Sequence, residues 1–140
     1  MGGPNLMQSG VTMMIVKNDF DMLAGKLDQQ AGEIVKETCL FIEGQAKRDA
    51  PIDTGALANS IMQDVARYDQ GWVGVVSATS DHAAFVNYGT GSRGASSSVP
   101  ERPAEISYTN SWLGMVARPF MSQAGVDGKA RFESAMKNVL

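Results

Sequence analysis

Between Phe20 and about Arg48, apolar or small residues recur in steps of three and four: Leu23, Leu27, Ala31, Ile34, Val35, Thr38, Phe41, Ile42 and Gln45. Lys26, Asp28, Gln29, Glu33, Lys36, Glu37, Glu43 and Lys47 occupy much of the remainder. That period places one apolar stripe along a helix, so the segment predicts a single long amphipathic helix. Gly32 and Gly44 weaken it by about 1 kcal/mol each relative to Ala. Pro51 ends it and disfavours helical geometry at Ala50. Ahead of the helix, the short apolar run Val11 to Lys17 reads as a strand, and Asn18 or Asp19 can cap the helix. Residues 1–10, rich in Gly, Pro, Asn and Ser, read as a flexible arm or in part as a cloning remnant.

After the long helix the pattern shortens. Pro51-Ile52-Asp53-Thr54-Gly55 is a turn, with Asp53 or Thr54 as cap for a brief helical turn over Ala56 to Ala58. Ser60 to Tyr68 is apolar at Ile61, Met62, Val65 and Ala66 and ends β-prone. Asp69-Gln70-Gly71 marks a hairpin, and the alternating Trp72 to Ala78 is its partner strand. Asp81 to Tyr88 has Ala83, Ala84, Phe85, Val86 and Tyr88 and predicts a short helix capped by Ser80 or Asp81. Residues 89–111 read as a long loop, flexible from Gly89 to Ser98. Trp112 to Val116 predicts a third strand. Arg118-Pro119-Phe120 opens a helical region broken at Gly125 and Gly128, with a last helix over Asp127 to Leu140 that buries Phe132, Met136, Val139 and Leu140. The expected architecture is an α+β domain over residues 11–140, a small antiparallel sheet packed against a long N-terminal and a C-terminal helix.

Composition narrows the function. Apolar residues make up 44% of 140 and charged residues 19%, enough for a core. A net charge of −3 with an acidic pI near 5.0 argues against a protein built to grip nucleic acid, which needs clustered Lys and Arg. Cys39 is the only cysteine, so no internal disulfide forms, and folding in a reducing cytoplasm is the simplest account. No apolar run approaches the roughly 20 residues of a membrane helix, so no membrane partner is expected.

Several stretches imitate chemistry. Gly89-Thr90-Gly91-Ser92-Arg93-Gly94 spells G-x-G-x-x-G, yet the Ser-rich residues 95–100 make a poor helix start and no acidic residue stands about 20 positions on. A P-loop would need Lys where Ala95 stands. His82 is the only histidine, and no metal-ligand spacing links it to Cys39. Cys39 leans to the apolar side of its helix, where a free cysteine is usually an inert hydrophobe. Asp53-Thr54-Gly55 is better explained by turn geometry than by catalysis. Of the nine methionines, Met13, Met14, Met22, Met62, Met115 and Met136 fall on apolar positions and read as core. Neither a catalytic residue, a cofactor site nor a metal site is expected.

Three pieces together resemble a family of tailed-phage proteins known as tail components, neck proteins or tail-completion proteins. They are Ala50-Pro51-Ile52-Asp53-Thr54-Gly55-Ala56-Leu57-Ala58-Asn59-Ser60-Ile61, then Ala83-Ala84-Phe85-Val86-Asn87-Tyr88-Gly89-Thr90, then Ala117-Arg118-Pro119-Phe120. Asn87 stands where the family usually has Glu, and residues 91–116 are longer than typical. The resemblance implies an α+β fold and a non-enzymatic virion role, assembled in the host cytoplasm, in the neck ring between head and tail. It implies a homo-oligomer, a hexamer or else a dodecamer. The portal, connector or head-closure protein would lie on one side and the tail terminator or tube protein on the other, with genomic DNA as transient cargo. Pro51, Asp53, Thr54, Gly55, Leu57, Ser60, Ile61, Phe85, Val86, Tyr88, Gly89, Thr90, Arg118, Pro119 and Phe120 would set the fold. Gly91, Ser92, Arg93 and Gly94 would form an assembly loop that orders against a neighbour. The competing readings are a tail-terminator or head-closure ring, a small enzyme using His82 with Asp81 or Cys39, and a DNA-binding regulator.

Overall fold

The long helix predicted from the apolar stripe spans Gly25–Asp49 (α1) and organises the structure, a computed structural model that describes residues 11–18, 25–51, 55–68 and 71–139. Ala31, Ile34, Val35, Thr38 and Ile42 of the expected stripe are buried, joined by Cys39 and Ala46. Leu40 lies off the stripe and is exposed. The buried Thr38 hydroxyl donates back to the Ile34 carbonyl at 2.8 Å, so it brings no unpaired donor into the core.

The chain order is β1 (Val11–Asn18), α1, α2 (Ala56–Asn59), β2 (Ile61–Tyr68), β3 (Gly71–Ala78), α3 (Ala83–Tyr88), α4 (Gly91–Ala95) and α5 (Phe120–Val139). β3 is central in an antiparallel sheet of order β1-β3-β2, with a register irregularity between Thr12 and Met14. Tyr68 pairs with Gly71, which fixes a two-residue hairpin loop at the expected place. The register puts Ile61 opposite Ala78, Gln63 opposite Val76, Val65 opposite Gly74 and Arg67 opposite Trp72. This row faces α1: Ile61, Val76 and Ala78 are buried in one core with Val35, Cys39 and Ile42.

Close approach decides how the layers fit. A Cβ on Gly74 would collide with the Cys39 sulfur and reach Val35, so the bare backbone of β3 lets α1 sit directly on the sheet. Gly32 does the same for the Trp72 indole, 2.5 Å from where its Cβ would be. The indole N–H donates to the Asp28 carbonyl at 3.1 Å. Arg67 donates to the Asp28 carboxylate at 2.8 Å, and its guanidinium holds that carboxyl below its ordinary range. Gly32, a weak helix former, thus serves packing instead of helix propensity.

α5 differs from expectation. It runs unbroken from Phe120 to Val139 instead of breaking at Gly125 and Gly128. Both glycines are buried, and a Cβ on Gly128 would strike Ile42. They stand where α5 meets α1, and packing there outweighs their poor propensity. Gln45 of α1 donates to Asp127 at 2.7 Å, and the Arg131 guanidinium lies 4.8 Å from the centre of the Phe41 ring. Met136 is buried as expected, while Phe132 and Val139 are half-buried and Leu140 lies outside the described residues.

Three further expectations change. Residues 112–116 form no strand, and only an isolated bridge joins Met115 to Thr90. The 89–111 stretch contains the helix α4. Met62 and Met115 are exposed instead of forming core, while Met121, not singled out by pattern, is wholly buried. The expectations for residues 1–10, Asp19, Phe20, Met22, Leu23, Ile52, Asp53, Thr54, Asp69 and Gln70, and for the side chains of Met13, Met14 and Leu27, lie outside the described residues.

Two glycine substitutions in helices should have opposite signs. Gly128→Ala should destabilise by about 1–3 kcal/mol, because overpacking against Ile42 exceeds the propensity gain. Gly44→Ala meets nothing nearer than the flexible Arg48 guanidine at 3.5 Å and should stabilise by up to about 1 kcal/mol. Urea unfolding midpoints check both.

Candidate functional site

α3 is short, so its faces are set by a few positions. Ala83 and Asn87, four apart, lie on one face and are fully buried. Helical spacing of about 100° per residue then turns Phe85 outward, and it is 55% exposed. Asn87 is the pivot. Its Oδ1 accepts from the backbone N–H groups of Met121 at 3.0 Å and Ser122 at 3.1 Å, and its Nδ2 donates to the Ser122 hydroxyl at 2.8 Å. The first turn of α5 would otherwise present those N–H groups unpaired in the core. Asn87 therefore caps α5 from a distant element. The usual family Glu would bring a carboxylate, an acceptor without the donor that Asn87 gives to Ser122. In the sequence, Asn87 stands out only as a departure from the family pattern. The cap itself was missed, because no local spacing signals a cap supplied from 34 residues away.

The segment from Gly89 to Ala117 doubles back on itself. Thr90 N–H donates to Met115 O at 2.9 Å, and Met115 N–H donates to Thr90 O at 3.1 Å and to Thr90 Oγ1 at 3.0 Å. Ser92 and Arg93 N–H groups reach the Trp112 and Leu113 carbonyls. Gly91 and Gly114 face each other at positive φ with no room for a side chain on either. The Tyr108 hydroxyl donates to Tyr88 O at 2.7 Å, and Arg102 donates to the carbonyls of Gly94, Ala95 and Ser97 while lying over the Tyr108 ring. The stretch expected to be a flexible loop is a strap held by backbone hydrogen bonds.

The strap leaves its apolar side chains outside. Trp112 is 56% exposed, and Leu113, Met115 and Val116 are exposed with it. Beside Trp112 lies a groove of about 630 Å³. It is lined by Pro51, Ala56 and Leu57, by Ser80, His82, Phe85, Val86 and Thr90, and by Trp112 and Met115. Apart from His82, the lining has no ionisable side chain.

The singled-out residues divide as follows. Leu57, Phe85, Val86, Thr90 and Pro51 meet at the groove. Ile61 and Phe120 enter the core, and Tyr88 is buried with its carbonyl bound to Tyr108. Gly55 takes positive φ ahead of α2, and the Ser60 hydroxyl donates to Leu57 O at 2.7 Å. Arg118 N–H donates to Val86 O at 2.8 Å, and the Pro119 carbonyl accepts from Gln123. Gly89 lies at positive φ against the strap backbone. Of Gly91, Ser92, Arg93 and Gly94, the two glycines are buried and Arg93 alone is exposed. The G-x-G-x-x-G run follows α3 instead of a strand, and its helical turn ends at Ala95.

His82 is exposed beside the groove, and its backbone N–H donates to the Ser80 hydroxyl at 3.3 Å. Neither Ser80 nor Asp81 takes the N-cap position of α3, which falls to His82 without a side-chain cap. Cys39 does not join them. It is wholly buried under Gly74, and burial pushes its thiol up to about 12. Among the described residues no group of three or more His, Cys, Asp or Glu is placed to hold a metal ion, and no helix is long and apolar enough to cross a membrane.

Pro51, Leu57, Phe85, Val86 and Thr90 thus share one apolar, exposed groove on a small α+β protein. The family model described as "Bacteriophage HK97-gp10, putative tail-component" matches residues 16–89, more than half of the chain. The chain belongs to this family of bacteriophage tail components. The match takes in the first two motif pieces through Gly89 and stops short of Ala117 to Phe120. No curated protein and no solved structure matches the chain.

Asn87→Ala strips the cap from two buried N–H groups and should cost about 1–3 kcal/mol per group left unpaired, read as a lowered thermal midpoint. Cys39 has a folded-state pKa raised from the usual 9.0 to about 12. Its contribution to stability is therefore fully present below pH 9 and is lost as pH rises from 9 toward 12. The urea midpoint should fall with pH across that window more steeply than in Cys39→Ala. At about pH 8, below that window, a thiol reagent should label Cys39 only as fast as the protein unfolds.

Proposed function

We propose that this protein is a non-catalytic structural subunit of the phage neck. Copies of it would form a ring that joins the head connector to the tail and lets DNA pass. Family membership supports the virion role. The observation that carries the docking reading is the exposed pair Phe85 and Trp112 flanking a groove almost free of charge. Aromatic side chains of this kind anchor protein interfaces. A closed ring needs two different patches per subunit, one meeting the other on the next copy. The groove is one such patch. A hexamer fits the usual six-fold tail, and a dodecamer is the second choice. The immediate neighbours would be a portal, connector or head-closure protein and a tail terminator or tube protein. A net charge of −3 suits a lumen that DNA must not stick to.

The assembly contact is best tested on the groove. Deleting residues 91–98 would remove Ser97, whose hydroxyl accepts from Ala117 N–H, and both buried strap glycines, so it would damage the fold itself. Phe85→Asp places a charge on an exposed ring position and leaves the core intact. Its circular dichroism and thermal midpoint should match the parent, its mass in solution should drop to the monomer, and phage supplied only with this variant should yield unjoined heads and tails. Normal infectious particles from Phe85→Asp would refute the docking reading.

A further inference from the structure

We propose that neighbouring copies in the ring are joined by strand pairing: the open edge of β2 in one copy takes up β1 of the next, so that the sheet continues from subunit to subunit. The hairpin decides which backbone groups are free. In an antiparallel pair, residues alternate between bonding across the ladder and pointing away from it. Tyr68 and Gly71 close the two-residue loop, and Thr79 N–H donates to Ser60 O, so the even-numbered residues of β2 bond to β3. The N–H and C=O groups of Gln63 and Val65 therefore point away from β3, and among the described residues no strand lies beyond them. β2 carries neither a Pro nor a register irregularity, two of the devices that blunt an edge.

The space beside that edge is open. A hollow of about 470 Å³ is lined by Gln29, Glu33 and Lys36 of α1 and by Gln63 and Val65 of β2, among others. The Gln63 Oε1 is buried and has no hydrogen-bond partner among the described residues. Buried acceptors are nearly always satisfied, and a strand laid along β2 brings N–H donors to this one. β1 of a second copy is the strand that fits. The order β1-β3-β2 leaves β3 paired on both sides, so the other open edge of the described sheet is that of β1. Both outer strands have eight residues. Each runs antiparallel to β3, so they run parallel to each other, and a rotation about a ring axis brings β1 of one copy beside β2 of the next in the same direction. The two edges are different surfaces on opposite sides of β3, as a closed ring requires. The β2 edge also continues from the groove, whose Ala56 and Leu57 belong to the helix that leads into β2. Resting on the assembly reading above, this adds to the groove a contact recognised through the backbone.

Hydrogen exchange at single-amide resolution tests this in the full chain without any variant. In dilute monomer the Gln63 and Val65 amides should exchange freely. In assembled protein, as rings in solution or in phage particles, they should be protected, together with Ile15 and Lys17 of β1, whose groups face away from β3. Asp64 and Ala66, bonded to β3, stay slow in both states. Gln63→Pro removes an outward N–H that the monomer does not use, so its circular dichroism should match the parent while ring formation weakens about tenfold or more. Gln63 and Val65 amides left unprotected on assembly, or Gln63→Pro assembling at parental strength, would overturn the proposal. Protection of Gln63 and Val65 without Ile15 and Lys17 would also overturn it, because that pattern belongs to a two-fold β2–β2 pairing that closes at a dimer. Each of these results leaves the groove contact untouched. Normal particles from Phe85→Asp with Gln63 and Val65 protected would instead sink the groove contact and leave the strand pairing standing.

Discussion

The distance at which α1 can approach its neighbours governs this structure. The helix contributes a continuous buried stripe from Ala31 to Ala46. It meets the sheet where Gly74 offers no side chain and meets α5 where Gly128 offers none. Interiors pack at near-crystalline density, so a single added methyl group at either contact is felt. Cys39 fits this view: its sulfur fills the space that a β3 side chain would have taken. Its thiol belongs to the core, and the burial that makes it useful there also keeps it protonated.

The groove follows from the core. With α5 fixed on α1, the N-terminus of α5 needs partners for its first N–H groups, and Asn87 supplies them. That bond sets the rotation of α3. A six-residue helix with Ala83 and Asn87 inward must turn Phe85 outward. A buried polar bond thus dictates an exposed apolar side chain, and the exposure of Phe85 needs no separate cause.

The sequence reveals α1, the hairpin and the α+β class because each rests on a period that one segment carries by itself. Leu57, Phe85, Val86 and Thr90 were marked by their place in motifs, but not as one surface, since α2, α3 and the strap meet only in three dimensions. α5 was misread as broken because Gly125 and Gly128 look like helix breakers until the α1 face that includes Ile42 is placed against them. Trp112 to Val116 has strand composition, yet Gly91 and Gly114 pin it by its backbone to Thr90, so its apolar residues stay outside instead of pairing in the sheet. Asn87 shows the deepest limit. A cap supplied between elements far apart in the chain leaves no periodic trace.

The residues that line the groove also differ in how they are tied to the fold. Pro51, Ala56 and Leu57 lie in the segment that matches the family, and Leu57 packs against the core as well as lining the groove. A change there disturbs both. Trp112 and Met115 lie beyond the match, on a strap whose hold on Thr90, Ser92 and Arg93 comes largely through backbone groups. Backbone hydrogen bonds of that kind are indifferent to the side chain that each residue bears. The strap can therefore change its side chains while the backbone path stays the same. The side chains of Trp112, Leu113, Met115 and Val116 are thus the least tied to the fold, and that of Leu57, which the core already uses, is tied more closely.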